Sequence, residues 1–118
     1  MVFSVVNRNK KNRRSLTDLL LSTYPGCVVY ELNEPADVVS CLRAHTADAV
    51  IWDLEKNDSQ DLKHLNTVAS QYQRTLFLIC ADDDTLLEEA MWNGASMYFI
   101  KPVLPEQIAA VLETNKRV

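Results

Sequence analysis

Residues 49–52, Ala-Val-Ile-Trp, run apolar without a break and end on one acid, Asp53. A run this short and this rich in Val, Ile and Trp is the signature of a strand covered on both faces, as parallel strands flanked by helices are. The same kind of run recurs at Val2–Val6, Cys27–Leu32, Thr75–Ala81 and Met97–Lys101, and the Trp52 strand itself is expected over Asp48–Asp53. Between these runs the apolar residues change to helical spacing. Leu16, Leu19, Leu20 and Tyr24 follow Arg13, and Pro25-Gly26 ends that helix as a turn. Val38, Val39 and Leu42 follow Pro35, which suits a first helical position. Asp58 or Ser59 is a cap for a helix carrying Leu62, Leu65, Ala69 and Tyr72. Asp82–Asp84 open a helix lined by Leu87, Ala90 and Met91 that Gly94 terminates. Pro105 starts a last one with Ile108, Val111 and Leu112 inward. Five strands alternating with five helices require right-handed crossovers, which predicts an α/β fold with one doubly wound parallel sheet. Residues 1–118 form one domain.

Composition removes several classes of function. The net charge of −4 gives no bulk attraction to nucleic acid or to an anionic membrane. Two glycines, Gly26 and Gly94, leave no material for a phosphate-cradling glycine loop. Cys27, Cys41 and Cys80 are odd in number and lack metal-ligand spacing, which suits a reducing cytoplasm better than a disulfide frame. No apolar run approaches the roughly 18 residues of a membrane span, and no signal peptide is evident. His45 and His64 fall on expected helices as surface residues, so no histidine-based triad arises and a non-enzymatic role is expected.

In open α/β sheets, ligands gather at the carboxyl ends of the strands. That edge receives Asn7-Arg8 from strand one, Asp53 from strand three, Cys80 from strand four and Lys101-Pro102 from strand five. Asp53 and Lys101 are expected to meet there. With VIWDLE around Asp53 and NGASMYFIKP from Asn93 to Pro102, the chain from Val2 to about Leu112 resembles the receiver domain of two-component response regulators. The resemblance implies the flavodoxin-like strand order 2-1-3-4-5. It also implies a phosphoacceptor role for Asp53, a phosphate-pairing role for Lys101 and a cis bond before Pro102. Cys80 falls at the Ser/Thr switch position and Tyr98 at the switch aromatic. Mg²⁺ is the implied cofactor, on Asp53 and the main-chain carbonyl of Glu55. A histidine kinase or phosphotransfer protein is the implied partner, and the face from Asp84 to Leu112 is the expected site of homodimerisation or docking.

The sequence departs from that family at two places. Receiver domains carry an acidic pair after strand one, where this chain has Asn7 and Arg8. A neutral amide and a fixed guanidinium in place of two carboxylates impair a Mg²⁺ site, since Mg²⁺ wants hard oxygen ligands. Arg8 is expected to take the cation position and pair with Asp53. Cys80 replaces a hydroxyl with a thiol, a weaker donor to a phosphoryl oxygen.

Each residue also has a plainer reading. Asp53 is also readable as a strand-end acid in a structural ion pair. Asp82–Asp84 read either as a substitute metal site or as helix capping. Cys80 is a redox-sensing thiol or a small core hydrophobe. Tyr98 is a switch or an ordinary half-buried tyrosine. Arg8, Lys10, Lys11, Arg13 and Arg14 put five cations in seven residues, to be balanced by Asp53 and Asp82–Asp84, by an acidic protein surface or, least well, by nucleic acid. Other classes carried forward are a phosphorylation-independent interaction or dimerisation module and a small flavodoxin-like cofactor binder. The chain ends at Val118 soon after the last helix, so either it stands alone or an output domain lies outside these residues.

Overall fold

The structure, a computed structural model, describes residues 1–54 and 60–116. Its elements run β1 (Val2–Val6), α1 (Lys10–Thr23), β2 (Val28–Leu32), α2 (Asp37–Ala44), β3 (Ala49–Asp53), α3 (Gln60–Gln71), β4 (Leu76–Ala81), α4 (Leu87–Trp92), β5 (Met97–Ile100) and α5 (Pro105–Lys116). All strand pairs are parallel and the sheet order is β2-β1-β3-β4-β5. The alternating and doubly wound reading holds, as does the order that the resemblance implied. Lys101-Pro102 is cis.

Side-chain alternation divides the core into two layers. Ala49, Ile51, Leu78 and Cys80 pack under Leu20 of α1 and Ile108 and Leu112 of α5. Val50, Trp52, Phe77 and Ile79 pack under Val38, Leu62, Leu65 and Ala90 of the helices opposite. β3 is buried at every position, which is why its sequence runs apolar instead of alternating.

Two helix starts differ from the sequence expectation. α1 begins at Lys10 rather than Arg13, because the Asn9 side chain caps it by accepting from the Asn12 N–H at 3.0 Å. α4 begins at Leu87 rather than at Asp82–Asp84. There Asp83 accepts from the Thr85 N–H at 3.0 Å, and the acids form a turn ahead of the helix. The late start moves the inward stripe to Leu86 and Ala90, and Leu87 and Met91 are left 39% and 44% exposed. Pro35 is buried in the turn before α2, which starts at Asp37. The expected cap at Asp58 or Ser59 lies outside the described residues.

Gly94 carries a tight approach. Its φ is +106°, and a Cβ there would sit 2.7 Å from the Ala69 Cβ of α3. Gly26 has φ +86° with open space around it. Gly94→Ala is therefore expected to cost about 2–3 kcal/mol and Gly26→Ala about 1 kcal/mol in urea unfolding, the difference being the clash.

Candidate functional site

Asp53 ends the central strand and is 7% exposed. In register it lies opposite Cys80, whose neighbour across the next pair is Phe99, so β5 delivers Lys101 to the same rim two strands away. The Lys101 Nζ lies 2.5 Å from Asp53 Oδ1 and donates to the Leu54 carbonyl at 2.9 Å. From the other side, Asn7 Nδ2 donates to Asp53 Oδ2 at 2.5 Å. Asn7 Oδ1 accepts from the Asn9 N–H at 2.7 Å, which fixes the amide with its nitrogen toward Asp53. A cation and an amide thus hold the two oxygens of one buried carboxylate.

Arg8 does something other than the expected pairing. Among the described residues its ion pairs are with Asp61 and Glu34, not with Asp53. Nη1 and Nη2 meet Asp61 Oδ2 and Oδ1 at 2.8 and 2.9 Å, a bidentate fork, and Nε meets Glu34 Oε2 at 2.8 Å. These bonds, that to Asp61 foremost, push the guanidinium pKa further above its ordinary high value. Two more cations of the basic cluster are balanced within the chain as well. Arg13 and Arg14 both reach Glu31, at 3.3 and 3.1 Å, and Arg14 also reaches Asp18 at 3.4 Å. The balancing acids are thus on β2, α1 and α3 and the loop before α2, rather than Asp53 or Asp82–Asp84. Sequence reading missed Asp61 because an acid in a first helical turn already has a reason to be there, the helix dipole. Only its burial, at 5% exposure, sets it apart.

No protein-family model matches the sequence, and no curated protein matches it. Solved structures do match. A CheY-like response regulator receiver domain from Methanospirillum hungatei aligns over 98% of this chain and 96% of its own, at 16% identity and TM-score 0.82. The signal receiver domain of the response regulator NarL from Mycobacterium tuberculosis aligns over 98% and 95%, at 22% identity and TM-score 0.77. The chain has the receiver fold. A pilus assembly-related protein from Burkholderia pseudomallei shares it too, at 16% identity and TM-score 0.85 over 99% of this chain and 90% of its own.

Across β4, the ion pair joins Asp53 and Lys101 at one rim of the sheet. The described residues around Asp53 do not fit a hydrated Mg²⁺. Asn7 turns a donor, not an oxygen, toward the carboxylate. The crevice between Asn7, Arg8, Asp53 and Asp61 holds about 10 Å³, at most the space of a single water, whereas Mg²⁺ keeps several. Among the described residues no cluster of three or more His, Cys, Asp or Glu is placed to hold a metal, so the substitute site from Asp82–Asp84 does not assemble. Asp82 is 70% exposed and 4.0 Å from Lys101 Nζ. The carbonyl of Glu55 lies outside the described residues.

On the opposite side of Asp53, a cleft of about 350 Å³ opens between α1 and the β5–α5 connection, and Asn12, Leu16, Cys80, Lys101 and Val103 are among its walls. Cys80 is 1% exposed, and its thiol pKa is pushed up first by burial and then by the Asp53 charge, with Lys101 opposing. Such a thiol packs as a small core hydrophobe. Tyr98 is half-buried, and its hydroxyl donates to the Asp83 carbonyl at 2.7 Å, tying β5 to the turn before α4. Burial is also the main cause raising its pKa. Iodoacetamide at neutral pH is expected to modify the half-buried Cys27 and Cys41 in the folded protein, and Cys80 only after denaturation. Peptide mass mapping reads the outcome. Alkylation of native Cys80 as fast as Cys27 would contradict its assignment to the core.

Proposed function

We propose that this domain is a receiver module of two-component signalling that works through protein contacts. Asp53 stands at the phosphoacceptor position, with Lys101 as its cationic partner and Cys80 and Tyr98 at the switch positions. The Mg²⁺ site is impaired, so ordinary metal-dependent phosphorylation of Asp53 is lost or strongly weakened. The observation that carries this reading is the closure of both Asp53 oxygens by Asn7 Nδ2 and Lys101 Nζ. Phosphoryl transfer to a carboxylate depends on positioning and on neutralising negative charge, mostly by the metal. Here the amide occupies the side of Asp53 from which a metal would serve that reaction.

A specific observation also supports the interaction half of the proposal. Leu87, Met91, Met97, Ile100 and Leu104 are all at least 39% exposed on α4, β5 and the start of the α5 connection. Exposed apolar side chains on neighbouring elements at this edge of the fold fit a protein partner. That partner is a second copy of the domain, an output domain, or the histidine kinase or phosphotransfer protein that a receiver serves. No helix among the described residues is long and apolar enough to cross a membrane.

Treatment with acetyl phosphate and Mg²⁺, followed by intact mass measurement, tests the reading. The wild-type chain is expected to gain no phosphoryl group on Asp53, and Asn7→Asp with Arg8→Asp is expected to gain one. Mg²⁺-dependent modification of wild-type Asp53 would contradict the impaired site.

A further inference from the structure

Trp92, the last residue of α4, is 88% exposed, whereas no other large apolar side chain among the described residues exceeds 52%. An indole carries a large apolar surface, and leaving it in water forfeits the gain from burying it. Beside it a groove of about 220 Å³ runs between α3 and α4, with Asn66, Ala69 and Ser70 on one bank and Trp92, Asn93 and Gly94 on the other. The banks close up at Gly94 and Ala69, where a glycine Cβ would not fit, so small residues leave the groove unfilled. Every lining residue is uncharged, on a chain of net charge −4. Charge appears one turn earlier on each bank. Exposed Lys63 precedes Asn66 by three residues on α3, and exposed Glu89 precedes Trp92 by three on α4. Both helices return from strands of one parallel sheet on the same side of it, so they run in the same direction and put Lys63 and Glu89 at the same end of the groove.

We propose that the α3–α4 groove is a self-association site: a second copy of this chain seats its Trp92 there, and its own groove receives the Trp92 of the first. A projection and a recess side by side on one patch meet the requirement of a two-fold interface, that the same surface serve both partners. A two-fold axis along the groove sets α3 of each copy against α4 of the other. Lys63 then faces the partner's Glu89, and the partner's Lys63 faces Glu89. An axis across the groove sets α3 against α3 and leaves each charge without its opposite. Charge therefore selects one arrangement, and the uncharged centre lets two acidic molecules meet without repulsion at the contact. Two indoles supply about 300–500 Å² of buried surface. A stable complex buries roughly 1,200–2,000 Å², so the dimer is a reversible one. This inference goes beyond the signalling reading and does not depend on the state of Asp53.

Sedimentation velocity of the full chain, from micromolar to near-millimolar concentration at low salt, tests the proposal. The wild type is expected to pass from monomer to dimer across that range. Trp92→Ala, at an exposed position that the fold does not need, is expected to weaken association by about ten-fold or more. Lys63→Glu is expected to weaken it as well, and Lys63→Glu with Glu89→Lys to restore it, because the exchange returns opposite charges to facing positions. Tryptophan emission is expected to move to the blue as the wild type associates, since Trp52 is already buried and only Trp92 changes surroundings. Trp92→Ala is expected to lose that shift. A wild type that stays monomeric throughout would overturn the proposal. So would a dimer that survives Trp92→Ala but is lost in Ile100→Asp, a result that places self-association on β5 and leaves the signalling reading standing. Failure of the exchanged pair to associate, with Trp92→Ala monomeric, would overturn the two-fold arrangement.

Discussion

Asp53 is a carboxylate taken almost wholly out of water at the end of the central strand, and Lys101 is the charge that makes this tolerable. An isolated buried carboxylate costs several kcal/mol or reverts to its neutral form. The lysine arrives because the parallel sheet brings the ends of β3 and β5 to one rim with only β4 between them. The ammonium is itself held by the Leu54 carbonyl, so its position is fixed from two directions. Once this pair is set, Asn7 has one acceptor left to address, Cys80 lies under the pair as packing, and Arg8 is released to serve a second carboxylate at Asp61.

That division of labour gives the edge two separately neutralised acids rather than one cluster of carboxylates. A cluster would repel itself and call for a divalent ion; two paired acids do not. The difference bears on switching. A ligand shifts a two-state domain only as far as its affinities for the two states differ. With the oxygens of Asp53 already engaged, any ligand addressed to them would have to displace existing bonds to form its own. The contact of Tyr98 with Asp83 links β5 to the turn before α4, close in sequence to the exposed Leu87 and Met91, through a bond that does not involve Asp53.

The fold was largely legible in the sequence because buried parallel strands write themselves as unbroken apolar runs, and β3 is the plainest of them. Helix starts were less so. Asn9 and Asp83 show why: one short polar side chain capped a helix, and the other diverted the chain into a turn, on the same sequence cue. The Asp53–Lys101 meeting followed from strand ends sharing one rim. The role of Arg8 did not follow. Its partners Glu34 and Asp61 are 26 and 53 residues away, and nothing local marks Asp61 as buried. Periodicity reports which face of an element is covered, whereas an ion pair between loops depends on tertiary placement that periodicity does not encode.

The most direct measurement is a double-mutant cycle on Asp53→Asn and Lys101→Met, read as unfolding free energy in urea. The account predicts a coupling of about 2 kcal/mol, each single variant costing more than its share because it strands the other partner. Strictly additive effects, with coupling within about 0.3 kcal/mol of zero, would show that the two groups do not depend on each other and would contradict the account at its base.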